Sequence, residues 1–161
     1  MKVFAVIMIV LLLAAVCAVG YLYFSADLTV RFESCVATDG VTQADYFDQL
    51  KSQVESKTFV GTLYSSEPLA SADQYQFLTY TVTVQNRSFL TADIVELRLT
   101  SKDEDVLLLG DLQQHTVPAG KTDTLTATIL TSRDTRTSVR EGIVTWYFWG
   151  KEFKTVINLQ E

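Results

Sequence analysis

The sequence predicts an all-β fold: an antiparallel β-sandwich of about eight or nine strands, with one inserted helix and one transmembrane helix in front of it. Three observations lead to this prediction. Residues 3–24 form an apolar run, period-two alternation dominates the rest of the chain, and turn signals recur about every 8 to 15 residues. We therefore expect an anchor over residues 1–25 and a single sandwich domain over residues 26–161.

The apolar run is long enough to cross a membrane. Its 22 residues contain no charged side chain. At about 1.5 Å each they extend roughly 33 Å, against a hydrocarbon core of about 30 Å. Tyr21, Tyr23 and Phe24 lie at its C-terminal end, where aromatic rings prefer the headgroup level. The sequence therefore predicts contact with the cell membrane through residues 3–24, as a single-pass protein.

A cleaved signal peptide is the alternative interpretation of the same run. Lys2 gives a basic start, and Ala18-Val19-Gly20 is a small-x-small triplet of the kind that signal peptidases cut. No polar segment precedes this triplet and the apolar run continues past it, so an uncleaved anchor is favoured. Lys2 and the terminal amine precede the run, and Arg31 is the basic residue close behind it. We therefore expect the N-terminus inside and the domain exported.

Charge and cysteine content exclude some classes of partner. The chain has a net charge of −6, and Lys2 is the one charged residue of the anchor, so the domain has a net charge of −7. An acidic domain repels phosphate backbones, and we expect no nucleic-acid partner. Cys17 lies in the apolar run and Cys35 is alone in the domain. We therefore expect no disulfide within the domain and a buried position for Cys35.

Each predicted strand follows from alternation bounded by turn residues. In the first strand Leu28, Val30 and Phe32 alternate with polar residues, and in the clearest strand the apolar positions are 78, 80, 82 and 84. The predicted strands cover residues 28–33, 59–64, 78–85, 94–99, 106–109, 125–129, 142–149 and 152–159.

One segment has helical rather than period-two spacing. Phe47, Leu50 and Val54 recur at the spacing of one helix face, and Thr42 followed by Asp45 resembles a capping box. We therefore predict one helix within the domain, over residues 42–56.

The strand and turn pattern of the second half resembles a known family. Residues 80–86 (YTVTVQN) form a strand closed by Asn, and the strand at 94–99, the Val-Pro-Ala-Gly turn at 117–120 and the strand at 125–129 follow. This pattern is similar to the immunoglobulin-like sandwich of late-embryogenesis-abundant type 2 (water-stress) domains and their bacterial relatives. The resemblance covers about residues 77–159. It implies an immunoglobulin-like fold and a non-enzymatic role, and it supplies no site residues.

The last two strands carry the candidate binding site. With Gly150-Lys151 as a two-residue type II′ turn, Trp149 faces Glu152 and Tyr147 faces Lys154. The predicted core face carries the apolar residues Val144, Trp146, Phe148, Phe153 and Ile157. The opposite face carries Tyr147, Trp149, Glu152 and Lys154, two aromatic rings among charges, which is typical of a protein-binding patch. The alternative is that the helix at 42–56 covers both rings.

Other polar groups favour structural roles over chemistry. His115 is the only histidine, and no signature pairs it with Cys35 as a nucleophile. We interpret residues 103–105 as a solvated hairpin tip rather than a Ca²⁺ loop, and the arginines at 133, 136 and 140 as part of a solvated loop. Residues 86–88 match a glycosylation sequon, which matters only on a eukaryotic secretory route. We expect no catalytic residues, no metal and no cofactor.

The function predicted from these patterns is binding or scaffolding at the cell envelope, without catalysis. The expected partner is another protein, whose identity the sequence does not give. Two alternatives remain open: a water-stress-type, lipid-associated protein with an apolar groove between its sheets, and a cleaved, secreted domain.

Overall fold

The computed structural model describes residues 2–110, 114–135 and 140–160. The apolar run forms α1 (Lys2–Phe24), whose side chains are largely exposed. Two single-turn 3₁₀ helices cover Gly40–Gln43 and Ala72–Gln74. The other elements are β1 (Leu28–Asp39), α2 (Ala44–Glu55), β2 (Thr62–Leu63), β3 (Tyr75–Asn86), β4 (Ala92–Leu99), β5 (Asp105–Leu109), β6 (His115–Val117), β7 (Thr122–Ser132), β8 (Arg140–Phe148) and β9 (Lys151–Leu159).

The strands form two antiparallel sheets packed face to face. The first sheet has the order β1-β3-β7-β5-β2 and the second has the order β6-β4-β8-β9. The edge strands β1 and β9 contact each other on one side of the sandwich. The predicted antiparallel sandwich with one inserted helix and an N-terminal apolar helix is therefore confirmed.

The main core lies between the two sheets and follows the predicted alternation. Val82 and Val84 of β3, with Leu125 of β7, meet Val95 of β4 and Val144 of β8, all of them buried. Alternation places these side chains on one face of each strand, and burying both inner faces against each other is the driving force for the sandwich.

The helix α2 packs on the outer face of the first sheet. Its Phe47 and Leu50 are buried against Phe77, Leu107 and Leu130 of that sheet. The alternative that this helix covers the last hairpin is therefore wrong, because the hairpin belongs to the second sheet.

Three predicted details of the elements are also wrong. Thr42 lies in the 3₁₀ turn, and α2 begins after Gln43, where no side-chain cap hydrogen bond forms within the described part of the chain. The first strand runs to Asp39 rather than Glu33, because its pairing with β3 resumes after an irregularity between Phe32 and Ser34. The predicted strand at 59–64 shrinks to β2, and β6 was not predicted.

A buried amide links two connections that cross between the sheets at one end of the sandwich, the one from β3 to β4 and the one from β6 to β7. Asn86 is fully buried at the end of β3, and its Nδ2 donates to the carbonyls of Leu90 (2.7 Å) and Val117 (2.8 Å). Its Oδ1 accepts from the backbone N–H (2.9 Å) and the hydroxyl (2.7 Å) of Ser88. Because Nδ2 is engaged inside the protein, the sequon is closed to glycosylation in the folded domain.

A buried ion pair joins the sheets at the opposite end. Arg140 of β8 makes a bidentate contact with Asp105 of β5, with Nη2 donating to Oδ1 at 3.0 Å. Its other donors reach the carbonyl of Thr100 (2.8 Å) and the hydroxyl of Tyr80 (3.2 Å). Burial alone would lower the pKa of Arg140, but the hydrogen bonds and the charge of Asp105 outweigh it and raise that pKa.

This ion pair corrects two predictions. Asp105 is not part of a solvated hairpin tip, since it is only 4% exposed, and Arg140 is not in a solvated loop, since it is 2% exposed. Arg133 is exposed, with a 3.5 Å contact to Asp39, and Arg136 lies outside the described residues. The pair could not be predicted from the sequence, because its two residues lie 35 positions apart.

We predict that Arg140→Met alone lowers the free energy of unfolding by about 3 to 5 kcal/mol, because it leaves the Asp105 carboxylate buried without its partner. The measurement is urea unfolding of the full chain in detergent, followed by circular dichroism. Adding Asp105→Leu should restore most of the loss, since both charges are then gone. A double variant no more stable than the single one would contradict this account.

Candidate functional site

The last hairpin turns one residue earlier than predicted. Phe148 pairs with Lys151 and Tyr147 pairs with Glu152, so the turn residues are Trp149 and Gly150 rather than Gly150 and Lys151. Both have positive φ, 48° and 76°, as a type I′ turn requires. The predicted pairing is therefore wrong, with each partner shifted by two residues along β9. A shift of two leaves the side chains within the two strands on their predicted faces, whereas Trp149 moves from the strand into the turn.

The core face of the hairpin is as predicted. Trp146 and Phe148 are buried, and the ring of Phe153 stacks on Trp146 with centroids 6.1 Å apart. Phe153 and Ile157 are partly buried and pack against the same core. Within the part of the chain that the structure describes, the buried Nε1 of Trp146 has no hydrogen-bond partner.

Three of the four predicted site residues share the outer face of the second sheet. Tyr147 is half-buried and its hydroxyl donates to the Glu152 carboxylate at 2.8 Å. This hydrogen bond and the charge of Glu152 raise the pKa of Tyr147. Lys154 is exposed and lies opposite Thr145, one pair further along the same face. This face can make both apolar and polar contacts with a partner. The Tyr147 ring supplies the apolar area, and its oriented hydroxyl, the Glu152 carboxylate and the Lys154 ammonium supply the polar groups.

The fourth predicted residue, Trp149, lies at the tip of the hairpin. It is 62% exposed. Its φ of 48° is costly for a bulky L-residue, whereas Asn or Gly would adopt this conformation readily. The structure thus separates Trp149 from the strand face on which Tyr147, Glu152 and Lys154 lie.

The surface around Tyr147 adds further exposed groups. Glu96 and Arg98 of β4 lie on the same face, 3.1 Å apart, and Ile143 pairs with Val156 on the neighbouring strands. In contrast with the first sheet, this outer face has no helix packed on it among the described residues. We call this surface, centred on Tyr147, Glu152 and Lys154, the outer hairpin face.

His115 and Cys35 are not brought together. His115 lies on the edge strand β6, with Nδ1 2.7 Å from Asp123 Oδ2. Cys35 is half-buried on β1, opposite Tyr80, at the other side of the sandwich. Cys35 was expected to be buried, and the structure shows it only partly buried. Groups of three or more metal-ligating side chains are absent from the described residues.

A cleft opens between the sheets at the side away from β1 and β9. Its volume is about 390 Å³, and its lining is mixed: the apolar residues Val95, Leu97, Leu108 and Leu125 line it together with the polar residues Thr62, Glu96 and Arg98. A cleft of this size is within the usual range for small-ligand pockets.

Sequence reasoning missed the aromatic contacts between α1 and the end of the domain nearest to it. The rings of Tyr23 and Phe153 have centroids 5.6 Å apart, and those of Tyr21 and Phe89 are 6.4 Å apart. Lys151 Nζ lies 4.5 Å from the centroid of Tyr23. The signal that could have drawn attention to Phe89 is a lone large aromatic residue in a turn after Asn86.

No family model and no curated protein sequence matches this chain. Among solved structures, it is similar to an uncharacterised β-sandwich protein from Clostridium difficile 630, with a TM-score of 0.34 and 9% sequence identity. The match covers 83% of this chain and 85% of the other. A likeness at this level carries no inference about function.

We predict opposite effects for the two tryptophans of the hairpin. Trp146→Ala should lower the free energy of unfolding by about 3 to 5 kcal/mol, because a large core side chain is lost. Trp149→Ala should change it by less than about 1 kcal/mol, because the side chain is exposed. Urea unfolding of both full-length variants, followed by circular dichroism, measures this. A larger loss for Trp149→Ala would contradict the burial of the hairpin faces.

Proposed function

We propose that this protein is a single-pass membrane protein that presents a β-sandwich at the cell envelope, with its N-terminus inside and residues 26–161 exported. The supporting observation is that none of the apolar span Val3–Phe24 is buried within the protein. A core helix of a soluble domain would be covered by its own chain. Residues 3–19 are exposed on all sides of the helix, and an uncovered apolar surface of this length favours a bilayer as its surroundings.

The finer fold that we propose is immunoglobulin-like. In such domains strands A, B, E and D form one sheet and C, F and G the other. Taking β1, β3, β7 and β5 as the first set and β4, β8 and β9 as the second gives the same neighbours. Two strands depart from this arrangement. β2 lies between β1 and β3 in the chain but pairs with β5 at the edge of the first sheet, and β6 follows β5 in the chain but pairs with β4 in the second sheet.

The role that we propose for the domain is protein binding without catalysis, through the outer hairpin face. The observation that carries this is the contrast between the two sheets. The first sheet has its outer face covered by α2, while the second leaves Tyr147, Glu152 and Lys154 open. Aromatic rings within a polar rim are typical of binding hot spots. Tethering to a membrane raises the local concentration of a partner in the same membrane.

We predict that a photo-crosslinking amino acid at Thr145, in the middle of this face, captures one discrete protein in intact cells. The same probe at Tyr46, exposed on α2, is the matched control and should capture none. Adding Tyr147→Ala and Lys154→Ala should remove the adduct from position 145 with only a small change in the melting temperature, because both side chains lie on the outer face of the sheet rather than in the core. Capture of the same protein at both positions, or survival of the adduct in the double variant, would contradict the proposal.

A second prediction concerns the anchor against the cleaved, secreted alternative. Mass spectrometry of the protein from the membrane fraction should detect peptides from within residues 3–24. The reason is that no polar segment precedes the Ala18-Val19-Gly20 triplet. A mature N-terminus at Tyr21 would show instead that the run is a cleaved signal peptide.

The second candidate function is lipid association of the water-stress type. The cleft of about 390 Å³ between the sheets favours it, because Val95, Leu97, Leu108 and Leu125 give it an apolar wall, and Arg98 in the same lining could contact a lipid headgroup. Native mass spectrometry of the purified protein distinguishes the candidates: a retained lipid mass supports this one. Loss of that mass on Leu108→Gln would place the lipid in the cleft.

A further inference from the structure

The end of the sandwich nearest α1 is defined by the antiparallel registers. The strands β1, β4, β7 and β9 begin there, and β3, β6 and β8 end there. Four segments form this end: residues 25–27, 86–91, 118–121 and 149–151, which are the connecting loops together with the last residue of β3 and the first residue of β9. We call it the helix-proximal pole.

The connection from α1 to the pole is too short to hold the two apart. The helix ends at Phe24 and β1 begins at Leu28, which leaves three residues between them. A fully extended segment of that length spans about 10 Å. The backbone N–H of Arg87 also donates to the carbonyl of Asp27 (3.2 Å), which ties the connection to the loop after β3.

One aromatic side chain of the pole, Phe89, lies alongside the last turn of α1. Phe89 contacts Tyr21, which lies three residues before the end of the helix, so the Phe89 ring reaches past the helix end toward the apolar span. Phe89 and Trp149 are 68% and 62% exposed, large apolar surfaces for two side chains of a water-soluble domain. Trp149 keeps this position in a backbone conformation that costs a bulky residue free energy.

The charge of the pole is opposite to that of the domain. Its four segments carry three exposed basic residues, Arg87, Lys121 and Lys151, and one acidic residue, Asp27. The carboxylates just outside it include Asp123, which contacts His115, and Glu152, which accepts from Tyr147. Asp93, also just outside, lies opposite Tyr147 in the sheet. The remainder of the domain is strongly acidic.

We propose that the helix-proximal pole docks on the headgroup layer of the bilayer that α1 spans. Phe89 and Trp149 enter the interface beside Tyr21 and Tyr23, and the three basic side chains meet anionic phospholipid headgroups. Aromatic rings favour this depth, and basic side chains next to a span favour anionic lipid. This inference rests on the proposed transmembrane anchor. A soluble partner fits the pole less well, because the three-residue connection leaves no layer between pole and membrane for it.

Docking of the pole would fix the orientation of the domain relative to the membrane. A sandwich held by one helix alone could tilt freely, whereas one with its pole in the headgroups stands with its strands rising from the membrane. The outer hairpin face then points sideways, along the membrane, toward other membrane proteins.

The experiment uses the full chain in vesicles of phosphatidylcholine with added phosphatidylglycerol, with brominated lipids as quenchers of tryptophan fluorescence. We expect strong quenching by lipids brominated near the headgroup and weaker quenching by those brominated deep in the chain. In Trp149→Asn, most of the shallow quenching should be lost, since Trp146 is in the core. Asn-Gly is the favoured type I′ pair, so this variant should resist urea at least as well as the native chain.

A charge-matched pair of variants tests the headgroup contact. Arg87→Gln with Lys121→Gln should weaken the shallow quenching, whereas Lys57→Gln with Arg133→Gln, exposed and away from the pole, should not. Equal quenching with and without phosphatidylglycerol would overturn the assignment of the basic side chains to anionic headgroups.

The remaining outcomes separate this inference from the anchor itself. Shallow quenching that is equal in the native chain and in Trp149→Asn, with the protein still resistant to alkaline carbonate extraction, would overturn the docking and leave the anchor intact. Release of the chain by carbonate would overturn the transmembrane anchor on which the docking rests.

Discussion

The buried amide of Asn86 is the interaction on which the arrangement of the sandwich depends most. The chain leaves the first sheet after β3 and returns to it before β7, and both crossings lie at the helix-proximal pole. One side chain binds a carbonyl in each crossing, those of Leu90 and Val117. A buried amide that lost these partners would leave several polar groups unpaired, each at a cost of about 1 to 3 kcal/mol. The two connections are thus fixed relative to each other, and with them the loop that carries Phe89.

The opposite end of the sandwich is joined by charge rather than by an amide. Arg140 and Asp105 come from different sheets, and the hydroxyl of Tyr80 and the carbonyl of Thr100 occupy the other guanidinium donors. A buried ion pair of this kind adds little net stability over a well-packed apolar pair. It does penalise any other alignment of the second sheet on the first, because moving β8 relative to β5 would bury one charge alone. Its contribution is therefore to the specificity of sheet packing more than to stability.

The outer surfaces of the sandwich, away from these two polar junctions, differ in cover and in charge. The first sheet is covered by α2, and the second presents Tyr147, Glu152 and Lys154. The helix-proximal pole is basic and aromatic, whereas the rest of the domain is acidic. If the pole rests on headgroups, repulsion between the acidic body and an anionic bilayer disfavours tilting toward the membrane. The orientation of the domain on the membrane and the direction of the outer hairpin face would then follow from the same charge pattern.

The sequence determined the features that depend on local periodicity. The membrane-length run, most strands, the helix near residues 42–56 and the burial of Trp146 and Phe148 could all be predicted, because alternation and helical spacing record which face is buried. The candidate face was predicted for Tyr147 for the same reason. The turn was not, because Trp149 at positive φ departs from the residues that such turns favour.

Only the tertiary structure decided which distant segments meet. The pairing of Arg140 with Asp105, the hydrogen bond from the Asn86 amide to the carbonyl of Val117 and the contact of Phe89 with Tyr21 join residues whose sequence neighbours give no sign of it. The side of the sandwich that α2 covers was also open, since an amphipathic helix fits either outer face by periodicity alone. The physical reason is that periodicity fixes how each segment faces a core, while partners are selected by packing and by the satisfaction of buried polar groups across the whole chain.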